Sequence, residues 1–109
     1  MASLTTEREL NPRDAERMLK EHPQAQLVDV REVDEYRDGH LRGSRLISLS
    51  TLAVRLDELD PNRPILFYCH SGNRSGQALA FAQQRGYRHA KHIRGGISAW
   101  ESAGLPIEV

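Results

Sequence analysis

Ile65-Leu66-Phe67-Tyr68-Cys69-His70-Ser71-Gly72-Asn73-Arg74-Ser75 decides how the rest of the chain is read. Its first four residues are apolar, two of them aromatic, and make a run short enough to be a buried strand. Cys69 follows on the first loop position. Gly72 and the small polar residues around it let the backbone bend tightly, and Ser75 opens a segment in which Ala78, Leu79, Phe81 and Ala82 recur at helical spacing. The order is strand, loop, helix. In such a loop successive backbone N–H groups converge on one point, and the free donors and positive dipole end of the helix behind it aim the same way. An anion or an electron-rich atom belongs in that hollow.

Outward from this stretch, helical patterns alternate with short apolar runs. Upstream, Asp60-Pro61-Asn62-Arg63-Pro64 is a turn, and before it Ser50 is a good N-cap for a helix with Leu52, Ala53, Leu56 and Leu59 on one face. A brief strand at about 45–47 follows the connection His40-Leu41-Arg42-Gly43. A short helix at about 32–38 is closed by Gly39, and a buried strand spans 26–30. The first helix has Asn11 as cap and Pro12 at its first position; Ala15, Met18 and Leu19 form its apolar stripe, Glu16 and Lys20 pair outside, and it stops near Glu21. Downstream, the helix after the loop ends at Gly86, a strand covers 90–93, and Gly95-Gly96 introduces a last helix with Ile97 and Trp100. Such alternation predicts an α/β domain with a mainly parallel sheet between helices, and ligand sites in such sheets lie beyond the carboxyl ends of the strands. Cys69 stands at such an end.

The chain has 109 residues, room for one domain with one core. Its 15 basic and 15 acidic side chains balance, which gives no reason to expect nucleic acid or an acidic membrane surface as partner. The single cysteine excludes an internal disulfide. Met1 to Glu7 lack the charged-then-apolar order of a secretory signal, and no apolar run nears membrane-spanning length, so a cytoplasmic location is expected.

Cys69-His70-Ser71-Gly72-Asn73-Arg74-Ser75 resembles the active loop of the rhodanese sulfurtransferases, in the form Cys-x-x-Gly-x-Arg-Ser. Leu27-Val28-Asp29-Val30-Arg31, Glu35-Tyr36 and Gly39-His40-Leu41-Arg42-Gly43 resemble that family's first signature, and Gly95-Gly96, Trp100 and Gly104-Leu105-Pro106 its last. The match runs over about 10–106 in the family's order and spacing. Arg42, Ser44 and Ser48 depart from it, standing where members often have Pro, Ala and Pro.

The resemblance implies a single rhodanese domain over 1–109, with a mainly parallel sheet of about five strands flanked by helices on both faces. It also implies a sulfur relay: a donor such as thiosulfate gives its outer sulfur to Cys69, which becomes a persulfide, and a nucleophilic acceptor removes it. No cofactor beyond this covalent intermediate, and no metal, is expected. Because there is no second cysteine to resolve the persulfide, the acceptor comes from outside: cyanide, a small thiol such as glutathione, or a protein dithiol of the thioredoxin kind. Two other readings stand beside this one, a non-catalytic sulfur carrier or protein-binding module, and a cysteine-dependent phosphatase. Phosphatases related to the rhodanese fold carry one more residue between Cys and Arg. Here four residues, His70 to Asn73, separate Cys69 from Arg74, and a tetrahedral phosphate needs a wider ring of donors than one sulfur atom.

The chemistry makes a definite demand on the loop. A free thiol has a pKa of about 8.5, and lowering it by roughly two units takes close to 3 kcal/mol. Loop amides, the helix N-terminus near Ser75 and the Arg74 guanidinium are the available sources. The sulfur must face those amides and must be within reach of a donor.

The remaining residues have plainer readings to set beside the functional one. Cys69 alone at a strand end is more often an inert buried thiol; Gly72 and Arg74 behind it make it a nucleophile. His70 has a general-base reading, against which it is expected at the pocket mouth, pointing away from the sulfur and contributing its backbone N–H, as are Ser71 and Asn73, while Gly72 sits where a side chain collides. Arg74 is expected to combine bracing against an acidic neighbour with a charge near the sulfur. Asp29, Arg31 and Glu35 are expected to form a structural ion-pair network that holds the loops. His89 and His92 lack a third ligand and read as ordinary surface or strand-end residues. Trp100 reads as core packing or a wall of the site.

Overall fold

Alternation along Ile65–Tyr68 sends Ile65 and Phe67 to one face of a sheet and Leu66 and Tyr68 to the other, and all four are buried. This strand lies at the centre of the computed structural model, which describes residues 8–109. In chain order the elements are β1 Glu9–Leu10, α1 Pro12–Glu21, β2 Gln26–Asp29, α2 Val33–Asp38, β3 Arg45–Leu46, α3 Leu52–Arg55, β4 Ile65–Tyr68, α4 Asn73–Gln84, β5 Ala90–Ile93 and α5 Gly96–Ser102. The five strands lie in the order β1-β5-β4-β2-β3, and every pairing between them is parallel. From β2 the chain moves outward to β3, and from β4 it moves the opposite way to β5. The carboxyl ends of β2 and β4 therefore flank the point where the winding reverses, the place where open α/β sheets carry their sites.

Both faces of the sheet are covered, as expected. Val28, Phe67, Cys69 and Ala90 pack with Leu52, Leu56 and Leu59 and with Ala78, Leu79 and Ala82 of α4. On the other face Leu27, Leu66, Tyr68 and Ile93 pack with Ala15 of α1 and with Ile97 and Trp100 of α5. Trp100 is thus core, and its Nε1–H donates to the Pro106 carbonyl at 2.8 Å. At the start of α1 the Asn11 side chain accepts from the Asp14 amide at 2.9 Å, Pro12 takes the first helical position, and Glu16 and Lys20 pair at 3.5 Å. The opening residues 1–7, read above for the lack of a secretory signal, lie outside the described residues. Among those described, no helix is long and apolar enough to cross a membrane.

Three local readings need correction. The edge strand β1 was not expected: it is two residues long and one of them is charged, too little for a period-2 signal. The helix expected after Ser50 is broken into a 3₁₀ turn Leu49–Thr51 headed by Ser48, the short α3, and a second 3₁₀ turn Leu56–Glu58. Leu52, Leu56 and Leu59 are buried as foreseen but Ala53 is exposed; the three-residue step from Leu56 to Leu59 suits the tighter 3₁₀ winding, which stacks i on i+3. Finally, α4 begins at Asn73, two residues before Ser75, because Gly72 at φ 109° closes the turn early.

At the end of β2, Asp29 and Arg31 are both buried and paired. Arg31 Nη2 donates to Asp29 Oδ2 at 2.7 Å and Nε to Oδ1 at 3.0 Å, while Nη2 also reaches the Gly39 carbonyl at 2.7 Å. Burial pulls the guanidinium pKa down, but hydrogen bonds and charge from Asp29 outweigh it and hold the pKa above its ordinary value. Removing one member of such a pair strands the other. Asp29→Ala is therefore expected to lower stability by about 3–5 kcal/mol in a denaturant titration; a loss below about 1 kcal/mol, the range of exposed pairs, contradicts this account.

Candidate active site

The loop after β4 is shaped by its contact with the start of α5. Gly96 has φ 63°, and a Cβ on it would lie 2.4 Å from the carbonyl oxygens of both Cys69 and His70. Those carbonyls accept from the amides of Ile97 at 2.8 Å and Ser98 at 3.1 Å, satisfying orphan donors in the first turn of α5. In a trans peptide the N–H points opposite the preceding C=O, so turning the His70 carbonyl onto α5 turns the Ser71 amide away from it. That amide faces the sulfur.

Cys69 Sγ accepts from the Gly72 amide at 3.1 Å and the Ser75 amide at 3.3 Å, and it lies 3.5 Å from Ser75 Oγ. Burial pushes the thiol pKa up. The Ser75 hydroxyl and the amides of Ser75, Gly72 and Ser71 outweigh that, and the net pKa is below its ordinary value. Of His70, Ser71 and Asn73, each expected to lend an N–H, Ser71 does so, and Gly72, expected only where a side chain collides, donates as well. The His70 carbonyl instead caps α5, and Asn73 opens α4, its side-chain oxygen accepting from Gln77 at 3.2 Å.

Access is the requirement the closed loop does not meet. Cys69 is 1 % exposed. A cleft of about 370 Å³ touches the loop at His70, between Arg31, Glu35, Asp38, Ile97 and Glu101, and Cys69 is not among the residues that line it. The exposed His70 lines this neighbouring cleft.

The expected ion-pair network resolves into two separate pairs. Asp29 holds Arg31, whereas Glu35 takes Arg74: Nη1 donates to Oε1 at 2.8 Å and Nη2 to Oε2 at 3.0 Å. Glu35 also accepts from the Glu32 amide at 3.0 Å in the capping box of α2, so one carboxylate ties α2 to α4. Arg74 holds the Glu35 pKa down to about 2 against the opposing effect of burial. Arg74 therefore braces the loop, and its charge acts on Cys69 through space.

His92 corrects the sequence reading. It is buried, with Nδ1 2.8 Å from Ser75 Oγ and Nε2 3.2 Å from Glu9 Oε2, whereas His89 is an exposed strand-end residue. The alternation of β5 held the signal, since His92 shares a face with the buried Ala90 and sits in register with Phe67. The departures from the motif also have partners: Arg42 pairs with Glu108 at 3.0 Å, Ser44 Oγ accepts from Tyr68 at 3.2 Å, and Ser48 Oγ lies 3.2 Å from Thr51 Oγ1.

A family model, Rhodanese-like domain, matches residues 11–103. A protein of Allochromatium vinosum named sulfurtransferase is 38% identical over 81 residues, 74% of this chain and 76% of its own length. Thiosulfate sulfurtransferase GlpE of Actinobacillus pleuropneumoniae is 29% identical over 100 residues, 92% of each chain. The crystal structure of a rhodanese-related protein from Thermoplasma volcanium superposes with a TM-score of 0.85 at 30% identity, covering 93% of this chain and 97% of that one.

The Glu35–Arg74 pair has a definite pH signature. Because the folded Glu35 pKa is depressed to about 2, its contribution is complete above the ordinary carboxylate value and is lost as pH falls through about 2. In Arg74→Ala, Glu35 is expected to titrate near the ordinary value of about 4.3, read from its side-chain carboxyl signal by NMR. The Cys69 pKa rises at the same time, as a nearby cation is lost. A Glu35 carboxyl still titrating near its wild-type value in the variant excludes Arg74 as the cause.

Proposed function

The chain belongs to the rhodanese-like domain family, and from that premise we propose that it is a sulfurtransferase working through a Cys69 persulfide. The observation that carries this reading is the set of donors on one sulfur atom: the amides of Gly72 and Ser75 at 3.1 and 3.3 Å, joined by the Ser71 amide and the Ser75 hydroxyl. They favour a thiolate and, after transfer, a charged terminal sulfur.

With thiosulfate as donor, the Cys69 thiolate attacks the outer sulfur. The S–S bond of thiosulfate breaks and sulfite leaves with the electron pair. An acceptor, either cyanide or the thiolate of a glutathione-like thiol or thioredoxin-like protein, then attacks the terminal sulfur of the persulfide. The bond to Sγ breaks and Cys69 leaves as thiolate, which a lowered pKa makes easier. These donors converge on a single atom. A phosphate needs donors spread around three oxygens, so the phosphatase reading fits less well.

The burial of Cys69 favours a second reading, a carrier or binding module loaded by a protein partner. At 1 % exposure Cys69 offers almost no surface behind the arc His70-Ser71-Gly72. In the neighbouring cleft Glu35 is neutralised by Arg74 and Arg31 by Asp29, which leaves Asp38 and Glu101 and, among the described residues lining it, no free cation to draw in a dianion. A docked protein can part such an arc with its own binding energy.

Incubation with thiosulfate and cyanide is expected to yield thiocyanate, and Cys69→Ser to yield none. In the mass spectrum, Cys69 gains one sulfur atom from thiosulfate alone. A protein inert to thiosulfate that takes one sulfur from a cysteine desulfurase is instead a carrier, and release of phosphate from an aryl phosphate contradicts both readings.

A further inference from the structure

Both ring nitrogens of the buried His92 are engaged, Nε2 at 3.2 Å from Glu9 Oε2 and Nδ1 at 2.8 Å from Ser75 Oγ. Ser75 Oγ lies 3.5 Å from Cys69 Sγ, with the Gly72 carbonyl at 3.3 Å as a competing acceptor. A continuous line of side chains therefore runs from the sulfur through α4 and β5 to β1. Sulfur transfer as described above gives its far end no task.

Glu9 determines what this line does. An ionised carboxylate only accepts, so Nε2 carries a proton whenever that contact is kept. In the neutral ring Nδ1 is then a lone pair: the Ser75 hydroxyl donates to it, and the Ser75 oxygen accepts from the Cys69 thiol. In the doubly protonated ring Nδ1–H donates to Ser75 Oγ, and the hydroxyl is released to donate to a thiolate.

We propose that Ser75, His92 and Glu9 form a proton relay in which His92, a positioning residue acting through Ser75, takes up the proton that Cys69 sheds. The thiol proton moves to Ser75 Oγ while the hydroxyl proton moves to His92 Nδ1. One S–H and one O–H bond break, one O–H and one N–H bond form, and no electrons leave the set. Thiol and imidazole become thiolate and imidazolium with the net charge unchanged. The inference rests on the reading that Cys69 works as a thiolate.

The surroundings of the ring suit an acceptor that is neutral until the thiol ionises. Beside Cys69, the charged groups facing it are Glu9 from β1 and Arg94 just past β5, whose Nε lies 3.4 Å from Glu9 Oε1. From α4 it meets Ser75 and Gly76, where an added Cβ would sit 3.7 Å from Cε1, and β4 places Phe67 in register with it. Burial lowers the His92 pKa, Glu9 opposes, Arg94 adds to the lowering, and the net direction is down.

Coupled sites shift one another's titration, so the relay is tested on the full chain by NMR titration of the His92 ring in wild type and Cys69→Ala. The His92 pKa is expected to be higher in wild type by at least about one unit; equal values overturn the relay. Glu9→Gln changes a half-exposed side chain that no core contact needs. It is expected to cut alkylation of Cys69 by iodoacetamide near neutral pH by about tenfold relative to the rate at high pH. That ratio corrects for access to the buried sulfur, and an unchanged ratio overturns the relay. Sulfur loading is read separately by mass. A chain that takes no sulfur but shows coupled titrations loses the function proposed above and keeps the relay; one that takes sulfur with independent titrations does the reverse.

Discussion

The site depends on the close approach of two backbones, the loop after β4 and the Gly95-Gly96 turn into α5. A methyl group on Gly96 would stand 2.4 Å from two loop carbonyls, and one on Gly72 would stand 3.3 Å from the Gly95 amide. Contact this tight is available only to glycine at these positive φ values. It orients the peptides of Cys69 and His70 so that their carbonyls serve α5, and turning the His70 carbonyl that way leaves the Ser71 amide for the sulfur. Fold and chemistry are therefore joined at the level of peptide planes, before any charged side chain acts.

The charges serve mainly to keep those planes in place. Asp29 and Arg31 fasten the end of β2 to the Gly39 carbonyl, and Glu35 with Arg74 fastens α2 to the first turn of α4. Both pairs neutralise themselves, so the field at Cys69 comes chiefly from amide dipoles and one hydroxyl. Such donors cost little reorganisation when charge appears on the sulfur. The same tightness buries Cys69, so the arrangement that favours the thiolate also limits what can reach it.

Much of this was legible in the sequence. The run from Ile65 to Cys69 placed Cys69 at the end of a central parallel strand, and Asn11-Pro12, Gly39 and Gly95-Gly96 marked element ends that the structure keeps. What was illegible depends on contacts distant in sequence. Glu9 gains meaning only when β1 lies beside β5, and His92 looks like any strand histidine until Ser75 of α4 is placed over it. The pairing of Arg74 with Glu35, 39 positions apart, is likewise set by the packing of α2 against the loop. The breaking of the helix after Ser50 reflects how three leucines fit one face of the sheet, which helical spacing alone does not decide.

Backbone amides aimed at Cys69 lower its pKa despite burial. The most direct measurement is the ultraviolet absorbance of the thiolate followed against pH in the unmodified chain, with Cys69→Ser as the blank. A midpoint clearly below the free-thiol value of about 8.5 is expected. A midpoint at or above that value, the result burial alone produces, contradicts it.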